Sequence, residues 1–551
     1  MGKIYETIIT DFSKGMTNDP REKDTRYAQL IKGFDAHTYP RKLVPLRDSE
    51  SGDSAASTSK KQNFCVALSK DLGTYALFAL GVKSGVTNAE ILYKKLTQVD
   101  NDALGGATWT APTDANHQSV NTFTWFELFV YYRKTGLIYG ARGTSATAGT
   151  KIWAFYPNAA TAFDEDIITT NGGTPFAFTH IRQGLVHSKD DILYIPYYNN
   201  AGGAGAKSFI AKNNNGSWTT NALTLPDHLI PNSICEYGNY LAIGCAPASG
   251  IGKSVVYLWD RDATLTTLAE SIDWGEGNLK VLEEIEGHLI GVSSMGIDAT
   301  TGASTQLYGE LVIRTYSGRT ANVLKGFIST GNSVNLTIAK QKVNQFLYFL
   351  CGNLGINGTA AENGQHGLWK IGRVLPDAPF ALTFDRPPSN DDSVANVALK
   401  NFFIVGDYVF ISYTDSSVFA LTKTSESSTG FGSMLSRYES LIFGESYREF
   451  KLVSAGVMTE PMPAAGQIVL KYKKDEETSY TTIFTHTTDN SLFHEAINIE
   501  SSGANLPQFR EISFQIVSTG GAVITGLWAQ FEEVDTGLVK RLLKAIINWF
   551  G

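Results

Sequence analysis

Charged residues are scarce in this sequence, and basic residues do not dominate it. Asp, Glu, Lys and Arg make up 18% of the 551 residues, and the formal net charge is −8. Proteins that coat DNA or bind RNA normally need a basic surface, so the composition argues against that class. It still allows a surface along which nucleic acid slides without being held.

Cysteines are few, and long apolar runs are missing. The four cysteines, Cys65, Cys235, Cys245 and Cys351, lie in apolar strand-like runs and have neither zinc-ligand spacing nor the density of a disulfide scaffold. We therefore expect buried free thiols. The sequence starts without an apolar signal core and contains no apolar run long enough to span a bilayer. These features predict a soluble protein made in a cytoplasm.

An apolar, aromatic-rich strand recurs along most of the chain. Its copies begin at residues 76, 137, 192, 240, 288, 346 and 408, and a polar turn and a second, more alternating strand follow each copy. The first strand is apolar on both faces, as in a strand buried within a sheet, and each repeat has room for two further strands. Radial four-stranded repeats are typical of a β-propeller. The pattern predicts a seven-bladed β-propeller over residues 51–430.

The first 50 residues predict a short helix and a strand that closes the propeller. Tyr27, Leu30, Ile31 and Phe34 have the spacing of one helix face, and Gly33 suits the end of that helix. The segment KLVPLRD, residues 42–48, contains a proline of the kind that an edge strand tolerates. We interpret residues 1–50 as an N-terminal helical clasp with a closing strand.

After residue 430 the repeat stops and the strands alternate cleanly. Ile468, Leu470 and Tyr472 share one face of their strand, and Ile512, Phe514 and Ile516 share one face of another. One buried and one solvated face predict a C-terminal antiparallel β-sandwich over residues 431–534. The expected fold class is therefore all-β.

No motif in the sequence predicts catalysis. The loops at 247–254 and 202–208 only approach a P-loop, and each leads into a strand, whereas a phosphate cradle needs a helix. Five carboxylates occur within 271–287, but they fall in one repeat, whereas a propeller active site draws residues from several inner strands. Asp190 and Asp191 could help to hold a cation, although adjacent acids in a turn are usually solvated. We expect no enzyme, no cofactor and no metal site.

The last segment, DTGLVKRLLKAIINWFG, predicts a terminal amphipathic helix over residues 535–551. Its apolar residues fill one wide arc, and Lys540, Arg541 and Lys544 lie in the remainder. Such a helix is too short to span a bilayer, and it can dock on its own sandwich, on another subunit or at a membrane interface. We favour another subunit. The expected partner-binding residues are Leu538, Leu542, Ile546, Trp549 and Phe550.

Two stretches of the sequence are similar to a known group of proteins. They are residues 11–48, which include KGMTND, YAQLIKGFD and LVPLRD, and residues 509–521, FREISFQIVSTGG. They resemble tail-associated virion proteins of tailed bacteriophages, most closely the nozzle and tail-stabilisation proteins of short-tailed phages. The resemblance implies a subunit of a homo-oligomeric ring, commonly a hexamer, around a DNA channel, with other tail or portal-adaptor proteins as neighbours. It implies no catalytic residues. The terminal helix departs from the family's pattern and leaves open a vertex or penetration component that contacts a membrane.

The sequence thus predicts a non-enzymatic structural protein of a bacteriophage virion, made in the host cytoplasm, that lets DNA pass without sequence-specific binding. The competing hypothesis is a carbohydrate-binding or glycan-cleaving propeller used for host attachment. Aromatic and carboxylate side chains that converge at one propeller mouth would favour the second hypothesis. Large apolar faces shared between subunits would favour the first.

Truncation after Val534 tests the role predicted for the terminal helix. Burying its apolar anchors stabilises a docked helix by roughly 1.5–3 kcal/mol per side chain before association costs. We expect the truncated monomer to keep its melting temperature and to lose incorporation into particles. A lower melting temperature of the monomer would indicate docking within the chain, and salt-sensitive binding of the whole protein to anionic vesicles would indicate a membrane role. Normal assembly of the truncated protein would contradict the prediction.

Overall fold

β-Strands, turns and extended segments make up the whole of the described structure, a computed structural model. The described residues lie between 3 and 534, outside the gaps 53–58, 70–71, 84–87, 97–108, 111–117, 123–127, 143–150, 158–162, 169, 172–173, 176–179, 200–206, 227, 249–251, 263–269, 297–307, 331–333, 355–364, 374–377, 390–396, 416–417, 426–430, 432–435, 488–490 and 498–506. Across these residues the all-β prediction is confirmed. Within the same ranges, no helix has the length and apolar character needed to cross a membrane.

Two compact units form, and each combines segments that are distant in sequence. The propeller unit contains Ser49–Trp369 and Pro387–Glu426, and the sandwich unit contains Met1–Asp48, Lys370–Arg386 and Ser427–Gly551. The division predicted from the sequence, into 1–50, 51–430, 431–534 and 535–551, does not anticipate this joining of distant segments.

The propeller unit consists of antiparallel sheets whose strands follow one another in chain order, except that sheet 7 takes its last strand from the start of the chain. Sheet 1 contains Ser59–Ser69, Thr74–Lys83, Asn88–Lys95 and Gln118–Thr122; sheet 2 contains Phe129–Tyr132, Leu137–Arg142, Lys151–Phe155 and Phe163–Ile168; sheet 3 contains His180–Ile181 with Leu185–Val186, then Leu193–Asn199, Lys207–Asn214 and Ser217–Leu225; sheet 4 contains Leu229–Tyr237, Tyr240–Pro247, Lys253–Trp259 and Glu270–Glu276. Sheet 5 contains Asn278–Ile285, His288–Gly296, Tyr308–Tyr316 and Asn322–Thr330; sheet 6 contains Asn335–Val343, Phe346–Leu354 and Gln365–Gly372; sheet 7 contains Val397–Val405, Tyr408–Asp415, Val418–Thr424 and Ser49–Ser51. A separate short hairpin joins Thr170–Asn171 to Thr174–Pro175.

The second strand of each sheet is the recurrent apolar strand found in the sequence. In sheet 1, Leu77, Phe78 and Leu80 are fully buried, and in sheet 4 Leu241 and Ile243 are fully buried. Such strands bury both faces because a neighbouring sheet packs on each side, which explains why their sequence is almost continuously apolar. The predicted β-propeller architecture with further strands around each apolar strand is confirmed.

The cysteines occupy this apolar interior. Cys65, Cys235, Cys245 and Cys351 are buried free thiols, as predicted. Burial raises the pKa of each thiol because the charged thiolate loses its hydration. Such cysteines behave as small apolar core residues.

A strand from the start of the chain does complete sheet 7, but it is not the predicted segment 42–48. Ser49–Ser51 pairs with Val418–Thr424. Glu50 Oε1 lies 2.6 Å from Nζ of the buried Lys423, with which it forms an ion pair. Within 42–48, Val44–Pro45 pairs instead with Phe34–Asp35 in the sandwich unit. The closing ladder therefore begins one residue after the predicted segment, where no proline interrupts the pairing.

The N-terminal helix predicted around Tyr27 to Phe34 is wrong. This stretch forms turns and the short strands Leu30–Lys32 and Phe34–Asp35. Aspartates make side-chain bonds to nearby backbone N–H groups, which compete with helical hydrogen bonds. Asp24 Oδ1 accepts from Arg26 N at 3.1 Å, and Asp35 Oδ1 accepts from His37 N at 3.0 Å. Leu30 and Ile31 are buried because they lie in a sheet.

Two sheets pack face to face in the sandwich unit. One contains Ile4–Ile9, Ile524–Glu533, Phe450–Thr459 and Phe493–Ile497, with Gln508–Phe509 beside Phe450–Thr459; the other contains Ala381–Arg386, Leu30–Lys32, Ser436–Glu439, Glu511–Thr519, Gln467–Lys474 and Thr481–Thr487, with Phe443–Gly444 beside Glu511–Thr519. Phe514 of the second sheet stacks on Phe531 of the first, with ring centroids 6.4 Å apart. The predicted strands and inward-facing residues of 450–533 are confirmed. One pair departs from the predicted antiparallel arrangement, because Lys32 and Phe384 pair in parallel.

Gly291→Ala tests how tightly neighbouring propeller sheets pack. A Cβ at Gly291 in sheet 5 would lie 2.6 Å from Cζ2 of Trp274, a fully buried side chain of sheet 4. Overpacking of this kind costs about 1–3 kcal/mol, so we expect the free energy of unfolding to fall by that amount in chemical denaturation. Gly326→Ala is the matched control in the outermost strand of sheet 5, where the nearest atom would be 3.4 Å away. Equal stability of the two variants would contradict the tight packing.

Candidate functional site

The residues that the sequence assigned to partner binding lie outside the described residues. They are Leu538, Leu542, Ile546, Trp549 and Phe550. Their role in assembly stays a prediction.

A cavity of about 710 Å³ lies within the propeller unit. Its lining comes mainly from the first strands of sheets 1, 3, 4, 5, 6 and 7. The first strands of sheets 2, 1, 7, 6, 5 and 4 contact one another in that order, so they lie along the axis of the propeller. We call this space the axial cavity.

Bulges in the first strands bring polar residues to the axial cavity. The pairing between the first and second strand shifts register between Lys61 and Asn63, Pro231 and Ser233, Leu279 and Val281, and Leu399 and Asn401. An extra residue at such a shift re-aims the local side chains. Asn232, Lys280 and Lys400 are the residues at three of these shifts, and all three line the cavity.

Polar side chains near the axis also tie each sheet to its neighbour. Gln183 of sheet 3 bonds both backbone groups of Phe129 in sheet 2, at 2.9 and 3.2 Å. Gln341 of sheet 6 does the same for Ile404 in sheet 7, with both bonds at 2.7 Å. A primary amide can do this because it carries a donor and an acceptor side by side.

Cationic side chains dominate the charged part of the lining. Arg182 is largely buried, and its Nε and Nη2 donate to Asn232 Oδ1 at 3.3 and 3.2 Å. Burial lowers the pKa of Arg182 to about 10, which leaves the guanidinium charged at neutral pH. Lys280 Nζ donates to Leu336 O at 2.7 Å, and burial followed by the charge of Arg182 lowers the pKa of Lys280.

Lys340 and Glu283 form the ion pair of the cavity. Their Nζ and Oε2 atoms are 2.8 Å apart, and the two side chains are 16% and 17% exposed. The same ammonium group donates to the carbonyl oxygens of Ile234 and Leu282, so it joins sheets 4, 5 and 6. Glu283 is the one carboxylate among the described lining residues.

The carboxylates that the sequence grouped at 271–287 are not brought together. Asp273 is exposed and pairs with Lys253 at 2.8 Å, Glu284 pairs with Lys342 at 2.8 Å, and Glu283 alone reaches the cavity. They lie along two strands of neighbouring sheets, where alternate side chains face different surroundings. The segment therefore supplies no pair of facing carboxylates.

The carboxylate of Asp190 interacts with side chains of the protein and is not arranged as a cation site. It pairs with Arg261 Nε at 3.0 Å and accepts from the hydroxyl of Tyr194 at 3.0 Å. Asp191 is the turn residue, with a φ of 51°. In the described part of the chain, no group of three or more His, Cys, Asp or Glu side chains could hold a metal ion. The loop 247–254 leads into a strand rather than into the helix that a P-loop requires, as predicted, and it joins two antiparallel strands.

Sequence reasoning missed Arg182, Lys280 and Lys340. Lys280 and Lys340 lie in first strands, and Arg182 directly follows His180–Ile181, whereas the sequence pattern marks only the second and third strands of each repeat. A usable signal was present: Asn232, Lys280 and Lys400 each fall at the same distance before a recurrent apolar strand. Aligning the repeats on that strand would have brought these polar positions into one column.

Comparison with known proteins gives structural likenesses only. No family model matches the sequence. No curated protein matches it. Among solved structures, the Dos1 propeller matches with a TM-score of 0.35 and 10% identity over 69% of this chain and 95% of that chain. Trypanosoma rangeli sialidase in complex with the inhibitor DANA matches with a TM-score of 0.31 and 9% identity over 97% of both chains. Prolyl oligopeptidase B from Galerina marginata matches with a TM-score of 0.36 and 10% identity over 66% of this chain and 48% of that chain.

The prediction that this chain is not an enzyme is contradicted by these likenesses, because two of the three structures are enzymes, a sialidase and a prolyl oligopeptidase. The prediction depended on the lack of a catalytic motif along the chain. A propeller can instead gather a site from first strands that are far apart in sequence, so that reasoning was wrong. At these identities and TM-scores the likenesses supply no reaction, substrate or catalytic residue for this chain.

Lys340→Met tests whether the buried ion pair holds the first strands together. The variant leaves Glu283 and two carbonyl groups without their partner, so we expect the free energy of unfolding to fall by about 2–4 kcal/mol. Lys342→Met is the matched control two residues along the same strand, where a more exposed lysine pairs with Glu284. An exposed pair contributes about 0–1 kcal/mol. Similar losses for both variants in urea denaturation would contradict the structural role of Lys340.

Proposed function

We propose that this chain is a structural component of a bacteriophage tail, which assembles with further copies of itself into a ring around the path of the DNA. One observation carries the proposal. The two stretches that resemble tail proteins, residues 11–48 and 509–521, are far apart in sequence and belong to the same compact unit.

Direct contacts join the two stretches. Arg21 makes two hydrogen bonds to the carboxylate of Glu511, at 3.0 and 2.7 Å. Leu30–Lys32 pairs with Ser436–Glu439, which pairs in turn with Glu511–Thr519. The resemblance therefore concerns one folded module rather than two unrelated fragments, and this supports a shared role with tail proteins.

Seven blades in a closed ring are the finer architecture that we propose for the propeller unit. First-strand contacts run from sheet 2 through sheets 1, 7, 6 and 5 to sheet 4, and the first strand of sheet 4 contacts the second strand of sheet 3. Gln183 of sheet 3 bonds Phe129 of sheet 2, and the two sheets also share an apolar cluster that contains Tyr139 and Ile195. These contacts support closure between sheets 2 and 3.

The neighbours in this proposal are other tail or portal-adaptor proteins, and the location is the virion. A ring of commonly six copies would leave a channel through which DNA passes without sequence-specific contacts. The net charge of −8 suits such passage, because an acidic surface does not hold phosphates.

Quantitative mass spectrometry of purified virions tests the proposal. We expect the chain in several copies per particle, and we expect a nonsense mutation in its gene to give particles without a complete tail. Supplying the wild-type gene in trans is the control and should restore infectivity. A chain that is absent from purified virions, or mutant particles of unchanged composition and infectivity, would rule out the proposal.

A further inference from the structure

The axial cavity carries a charge imbalance that an assembly role does not require. Four cationic residues line it, Arg182, Lys280, Lys340 and Lys400, whereas Glu283 is the carboxylate among the described lining residues. Glu283 is already paired with Lys340 at 2.8 Å. The described part of the lining is therefore positive, although the chain as a whole is acidic.

Two of these cations lie close enough to influence each other. The charge of Arg182 disfavours the charged form of Lys280, and Arg182 is buried while Lys280 is partly buried. Like charges repel more strongly where little water screens them. An anion in the cavity would interact favourably with both groups, so the arrangement is suited to hold one.

A buried donor lies at another point of the same lining. Asn63 is 6% exposed, and its Oδ1 accepts from Asn401 Nδ2 at 2.6 Å. Its own Nδ2 has no hydrogen-bond partner among the described residues. Leaving such a donor unsatisfied costs about 1–3 kcal/mol, and an oxygen atom of a ligand would remove that penalty.

We propose that the axial cavity binds a small, sugar-sized ligand that bears an oxyanion, with Arg182 and Lys280 holding the oxyanion and Asn63 donating to a further oxygen. The volume of about 710 Å³ lies within the range of small-molecule sites. Guanidinium and ammonium groups bind carboxylate and phosphate oxygens by charge-assisted hydrogen bonds. This site is independent of the proposed place in a tail, because it uses only propeller residues.

Isothermal titration calorimetry on the full-length chain tests the site. The probes are inorganic phosphate, glucose 6-phosphate and glucuronate at constant ionic strength, with glucose as the neutral control. We expect one site per chain that binds at least one of the three anions and binds glucose at least tenfold more weakly. Preference for the phosphates or for glucuronate identifies which oxyanion the site takes. Absence of binding by all three anions, or equal binding of glucose, would overturn the proposal.

Matched variants assign the binding to the cavity. Lys280→Met should weaken binding of the preferred anion at least tenfold, and Lys280→Arg should retain most of it. Lys253→Met removes the same charge at a position that is 64% exposed and outside the lining, so it should leave binding unchanged. If Lys280→Met does not fold, Asn63→Asp decides, since a carboxylate there should abolish anion binding. Equal weakening by Lys253→Met, or full binding by Asn63→Asp, would show that the anion binds elsewhere.

Discussion

The inner edge of each propeller sheet is the constraint on which the rest of the propeller unit depends. The first strand pairs with the second on one side, and within its own sheet its other edge has no strand partner. Buried backbone groups left unpaired at that edge would cost about 1–3 kcal/mol each. Side chains of neighbouring sheets supply the missing partners, as Gln183 does for Phe129 and Gln341 does for Ile404. Polar residues are therefore required near the axis for closure itself.

The bulges in the first strands affect both the packing of the core and the lining of the axial cavity. Val281 and Leu282 are adjacent and both fully buried, although alternation in a regular strand would place them on opposite faces. The register shift just before them, between Leu279 and Val281, leaves Lys280 as the extra residue, and Lys280 lines the cavity. Core packing and cavity chemistry are thus satisfied by one short segment, and a change in either affects the other.

This local irregularity also decides what the sequence could predict. The second strands were identified because runs such as 76–80 are buried on both faces and need no alternation. First strands break the period of two at their bulges, so no sequence pattern identified them. The cavity residues that they carry were therefore not predicted. The helix expected near Tyr27 failed for a related reason: an apolar spacing that fits one helix face also fits short strands, and the capping aspartates Asp24 and Asp35 favoured turns. Segments joined across hundreds of residues, such as Ser49–Ser51 with Val418–Thr424, follow from ring closure and leave no local signal.

Net charge and local charge lead to different conclusions about this chain. The whole chain carries 54 acidic and 46 basic residues, which disfavours adhesion to nucleic acid, yet cations outnumber carboxylates in the described lining of the axial cavity. The net charge of the chain therefore does not predict the charge of one local site. The residues that resemble tail proteins lie in the sandwich unit, and the cationic lining lies in the propeller unit. The proposed anion site and the proposed tail role thus lie in different units, so substitutions of Lys280 or Asn63 should change anion binding without altering the segments that resemble tail proteins.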